Sequence, residues 1–178
     1  MFREDKTTQM AARLLTLADG RLPYIHLMKM LYIADKQMLV QWGKPIAYDR
    51  WYFLRHGPVL GATLDLIKSE ASPPTCWSAH IATDGYDVVL VADPGDDDLS
   101  RAEDAVILQT FREWAHKDWR DVVKETHGFP EWSDPGHTLR PVSYDTVLAV
   151  SGFSQEDADD ILENIEIQDE VWGLELVA

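Results

Sequence analysis

Residues 23–45 read PYIHLMKMLYIADKQMLVQWGKP, and this stretch decides the fold. Leu27, Met28, Leu31, Ile33, Ala34 and Met38 are too dense for one helical face. A helix from Pro23 to about Gln41 is therefore expected to be buried on more than one side, as the central helix of a small domain. Gly43 and Pro45 end it. Upstream, Met10, Ala11, Leu14, Leu15 and Ala18 recur at helical spacing and stop at Gly20, which gives an amphipathic helix over about 4–18. Downstream, Ile46, Tyr48, Tyr52 and Leu54, broken by Asp49 and Arg50, read as extended chain leading to His56, Gly57 and Pro58. Pro58 suits a first helical position, and Val59, Leu60, Thr63, Leu64 and Ile67 carry the period to about Ser69, before Ser72, Pro73 and Pro74 break the chain.

Asp84-Gly85 between the apolar runs 76–81 and 86–91 signals a hairpin. Ser100 and Glu103 form a capping box for a helix with Ala102, Ala105, Val106, Leu108, Phe111 and Trp114 on its buried stripe, and Asp118 caps another through Thr126. Four glycines and prolines over 128–136 keep the chain irregular, a short helix follows around Tyr144–Val150, and Ser154 with Asp157 opens a last one to about Glu166. The expected fold class is α+β: a mainly helical single domain with a small β-hairpin or sheet on one side. At 178 residues, without repeats or a linker, the chain is long enough to bury a core of its own.

The formal charge of −15 is unevenly placed. Residues 1–90 sum to +1 and residues 91–178 to −16, with no lysine or arginine after Arg140. Phosphate backbones and anionic lipid surfaces repel that second half, so neither DNA nor a membrane is expected as partner. A basic protein partner fits the charge, as does solubility alone. Cys76 is the single cysteine, and no charged-then-apolar leader opens the sequence, which gives a cytoplasmic, reducing setting as the expectation.

No nucleophile elbow, phosphate loop or paired metal-ligand spacing occurs, and the six histidines are scattered. Neither an enzyme, a cofactor nor a metal is expected. Two constellations remain. Residues 48–59, with Asp49, Arg50, Tyr52, Arg55 and His56, set aromatics and guanidinium groups beside an expected helix start. They read either as an anion-holding site or as a tight entry permitted by Gly57. Residues 126–132, THGFPEW, read either as a loop pinned by Phe129 and Trp132 or as an exposed aromatic anchor.

Lys29 to Asp35, then Gly43 to Ile46 with Asp49 and Arg50, then His56 to Val59 with Leu64 to Lys68, resemble in order and spacing the Panacea domain, the SocA-like antitoxin family often found in phage-associated genes. The hairpin, the Asp-rich loop, the Ser100 capping box and Thr126, His127, Pro130 and Trp132 extend the resemblance over about residues 8–135. Residues 1–140 are accordingly expected to form this domain, and 141–178 an acidic helical C-terminal extension packed on it. No appended helix-turn-helix segment is expected, a departure from the family's pattern.

The resemblance implies an antitoxin of a bacterial or phage toxin–antitoxin pair, neutralising a cognate toxin encoded nearby by direct protein binding. The alternative it implies is an adaptor delivering a toxin or other client to an ATP-dependent protease. It brings no catalytic residues and no mapped contact motif. Asp49, Arg50, Tyr52, Arg55, His56 and Trp132 are the partner-binding candidates. The apolar tip Leu176, Val177 and Ala178 is a candidate degradation signal, with Trp172 and Leu174 read as pinning the tail before it.

Overall fold

The computed structural model describes residues 1–68 and 75–175, with side chains as far as Gly173. Its axis is the helix read first. α2 (Tyr24–Trp42) follows α1 (Glu4–Leu17) and the short β1 (Arg21–Pro23), and from His26 to Asp35 every residue of α2 is buried. Gly43, at φ +68°, closes it in the left-handed conformation that a glycine adopts without a Cβ penalty. α1 packs on one side of this axis and α5 (Arg101–Trp114) on another, so the continuous apolar run of α2 becomes the core.

β2 (Trp51–Leu54) and β3 (Gly57–Leu60) form an antiparallel hairpin, followed directly by α3 (Gly61–Lys68). Pro58 therefore stands in a strand and not at a helix start. β3 is the edge of a three-stranded sheet ordered β3-β2-β6, where a missing N–H costs no interior ladder bond. The third strand, β6 (Arg140–Val142), pairs with β2 and is too short, and too broken by Pro141, to announce itself in the sequence.

The Asp-Gly hairpin is present as β4 (Ile81–Asp84) and β5 (Asp87–Leu90), with β1 added antiparallel to β5. Its first arm is shorter than the apolar run suggested. Cys76–His80 is α4, a single helical turn capped by Thr75, whose side chain accepts from the Ser78 amide while the Ser78 hydroxyl accepts from the Thr75 amide.

Ser100 and Glu103 make the expected capping box on α5, and Asp118 caps α6 (Trp119–Thr126). α7 (Tyr144–Val150) precedes α8 (Gln155–Glu175). α8 runs nine residues beyond the expected Glu166. Trp172 holds this extra length: its ring meets Tyr48 edge-on at 4.7 Å, and the Arg3 guanidinium lies over it at 4.1 Å. The molecule is thus mainly helical with two small antiparallel sheets, one more than the sequence suggested. Leu176, Val177 and Ala178 lie outside the described residues, as does the side chain of Leu174.

Candidate partner-binding site

Two buried aspartates build the scaffold beneath the candidate residues. Asp35, on α2, is wholly enclosed; its Oδ1 accepts the backbone N–H groups of Ile46 and Ala47 at 2.6 and 2.8 Å, and its Oδ2 accepts the Trp51 indole N–H at 2.9 Å. One side chain thereby fixes the chain leaving α2 and the start of β2. Burial, working against those three bonds, still lifts its carboxyl to about 6.

Asp49 does the same for α3. Its two oxygens accept from the amides of Ala62 and Thr63 and from the Thr63 hydroxyl at 2.8–2.9 Å, satisfying the first turn of a helix that has glycine and no capping side chain of its own at its start. Asp49 is 3% exposed, so of the candidates it is the one committed to the interior.

Arg50 and Tyr52 reach the surface from this scaffold. The Arg50 carbonyl accepts the Gly61 amide, which leaves its exposed guanidinium free to point outward. Tyr52 lies across Gly61 so closely that a Cβ there would stand 2.6 Å from the ring. Both residues line a cleft of about 670 Å³, walled on its far side by Phe2, Pro141, Tyr144 and Ile165. They also line a second recess of about 280 Å³ toward Leu64 and Leu139, so Arg50 and Tyr52 form the ridge between two hollows. Tyr144 anchors the cleft: its hydroxyl donates to the Asp49 carbonyl at 2.9 Å and its ring packs edge-on against Trp51 at 4.6 Å. Burial, and the negative charges of Asp35 and Asp49, drive its phenol well above the ordinary tyrosine range. Tyr48, a non-glycine residue at φ +51°, also lines the cleft, and its hydroxyl donates to Gln168 on α8.

Arg55 and His56 occupy the opposite end of the β2–β3 hairpin, exposed at its turn, while Gly57 there packs against Lys29 and Thr126. No helix begins beside them, so the anion site built on helix amides at Pro58 does not exist. Trp132 sits on the other face of β2. It stacks on His127 with centroids 4.3 Å apart and rings 8° from parallel, and it meets Phe53 edge-on at 4.8 Å. Of the two readings of residues 126–132, the pinned loop is the one observed; Phe129 is likewise half-buried, facing Trp114. Glu131, unmarked in the sequence reading, completes that pinning by accepting from the Tyr32 hydroxyl at 3.0 Å and from Lys36 at 2.6 Å.

The structure therefore brings Asp49, Arg50 and Tyr52 together, and places Arg55, His56 and Trp132 elsewhere. Phe2, Tyr144 and Ile165 are among the cleft residues that sequence reasoning did not find. Their signal is purely long-range, since the two ends of the chain supply the wall facing the Asp49–Tyr52 strand.

The family model described as antitoxin SocA-like, Panacea domain, matches residues 27–133. The chain belongs to the Panacea family. Neither a curated protein nor a solved structure matches it. The Panacea match spans Lys29, Asp35, Asp49, His56 and Trp132, the residues that carry the motifs, and most of these turn out to be buried and bonded rather than exposed. The family is associated with toxin–antitoxin systems. Within the Panacea segment the cleft owes it Tyr48 to Tyr52 and Ala62, whereas Phe2, Tyr144 and α8 come from outside the match. Among the described residues no group of acidic, histidine and cysteine side chains is placed to hold a metal, and no helix is long and apolar enough to cross a membrane.

Proposed function

We propose that this Panacea protein is the antitoxin of a toxin–antitoxin pair, neutralising a toxin encoded beside it by direct binding. Family membership over residues 27–133 carries the reading. The surface that serves it best is the Arg50–Tyr52 ridge. Its hollows are wide enough for side chains of a partner, with a guanidinium at the rim to pair with a partner carboxylate. α8 adds a field of one sign: it carries nine aspartates and glutamates and no lysine or arginine. A basic toxin is drawn toward it, at a rate that falls as salt shortens the Debye length.

Expression of the neighbouring gene from its own promoter tests this. Growth arrest by that gene, relieved by this protein with the two co-purifying, is the expected result. A harmless neighbour, or rescue without co-purification, overturns direct neutralisation. Rescue accompanied by a toxin half-life that shortens only in cells holding an ATP-dependent protease would make the protein a delivery adaptor instead.

A further inference from the structure

Three lysines of this chain are largely withdrawn from water, and two of them have counter-charges. Lys6 pairs with Glu103 at 2.8 Å and Lys36 with Glu131 at 2.6 Å. Lys29, on α2, is the most deeply buried at 1% exposed, and its ammonium donates only to the Pro58 carbonyl, at 2.7 Å. Among the described residues no carboxylate lies within 4 Å of it. A buried ammonium without a counter-ion is costly, because a carbonyl dipole replaces little of its lost hydration. Burial accordingly draws Lys29 down to about 7.

A recess of about 140 Å³ adjoins this lysine. Ile25, Met28, Leu54 and Leu64 give it apolar walls, while Tyr24, Lys29, His56 and Lys68 are the charged or titratable side chains that line it. No acidic residue is among its lining. Gly57 keeps the space beside the lysine open: a Cβ there would stand 3.1 Å from Lys29 Cε and 3.2 Å from Nζ.

We propose that this recess binds a small aliphatic carboxylate, whose oxygens supply the counter-charge that Lys29 lacks and whose hydrocarbon end packs against the apolar wall. The size follows from the volume, room for roughly four or five water molecules at ~30 Å³ each, which is the size of an acid of four or five carbons. The chemistry follows from the lining. One enclosed ammonium serves a single charged head, whereas a phosphate would set more oxygens against a wall that is mostly apolar. The site shares Val59 and Leu64 with the smaller hollow beside the ridge but includes neither Arg50 nor Tyr52, and it stands whether or not the chain neutralises a toxin.

Isovalerate is the probe, titrated into the intact protein by calorimetry, with isovaleramide as neutral isostere and inorganic phosphate as the other oxyanion. Isovalerate is expected to bind at a Kd below about 1 mM, within the range open to a ligand of seven heavy atoms. The amide should bind at least tenfold more weakly, and phosphate should give no saturable heat. At pH 8 Lys29 is mostly neutral, so binding should take up a proton, read as a heat that depends on the ionisation enthalpy of the buffer. His56 and Lys68 line the recess, and the charge of Lys29 is felt at His127. The proton uptake should therefore persist in His56→Gln and His127→Gln and vanish in Lys29→Met. Lys68→Ala, at an exposed rim position, should weaken binding several-fold in a fully folded protein. Equal binding of acid and amide, tighter binding of phosphate than of isovalerate, no proton uptake by the parent, or undiminished binding by Lys29→Met would each overturn the proposal.

Discussion

Asp35→Ala is expected to abolish cooperative folding or lower the melting temperature by more than 10 °C. The substitution strands the Ile46 and Ala47 amides and the Trp51 indole N–H, all in the interior. Each buried donor left without an acceptor costs about 1–3 kcal/mol, and a chain of this size loses about 2–4 °C per kcal/mol. Asp35→Asn should fall between, since its oxygen still serves one side of the network while its NH₂ opposes a donor on the other. The carboxyl also leaves a pH signature. Its folded value, about 6, lies above the unfolded one, so the stability it contributes is fully present below the ordinary carboxylate range and is lost as pH rises to about 6. That component of the pH profile should be missing from Asp35→Asn. A melting temperature for Asp35→Ala within a few degrees of the parent would show that the chain leaving α2 is held by something else.

Gly57→Val is the second large effect. Gly57 sits at φ +94°, and a Cβ there would stand 2.8 Å from Thr126 Oγ1 as well as close to Lys29. Backbone strain costs about 1 kcal/mol and overpacking about 1–3 kcal/mol more, a fall of roughly 4–16 °C in the melt. Arg55→Ala, two residues away, should change stability by no more than about 0.5 kcal/mol, because the arginine is exposed and none of its described contacts is an ion pair. Thermal melts of the two variants side by side decide the point. An Arg55→Ala loss as large as that of Gly57→Val would put the arginine in a buried network.

These two positions also show where the sequence could be read and where it could not. Signals confined to a few residues were legible: the density of α2, the Ser100–Glu103 box, the Asp118 cap and the Asp84-Gly85 turn all have their causes within one or two turns of chain. The start of α3 was misplaced because its cap is Asp49, thirteen residues before Ala62, so the local proline looked like the stronger signal. The same separation hid the role of Asp49, which as a charged residue beside Arg50 read as surface and is interior. The cleft was illegible for a further reason. Its facing walls are residues 48–52 on one side and Phe2, Tyr144 and Ile165 on the other, and no pattern in a single sequence pairs the two ends of a chain with its middle. α8 was cut short at Glu166 because the cation–π contact and edge-on ring that hold Trp172 come from Arg3 and Tyr48.

The division of labour that emerges is that Asp35 and Asp49 hold the fold together while Arg50 and Tyr52 are what the fold displays. The binding constant between the purified protein and the toxin proposed to be encoded beside it, measured for the parent and for Arg50→Glu, tests this most directly. The arginine side chain is exposed and only its carbonyl serves the fold, so the variant should melt with the parent yet bind at least tenfold more weakly. Unchanged affinity in Arg50→Glu, with the melt also unchanged, would contradict the claim that this ridge is the surface through which the protein acts.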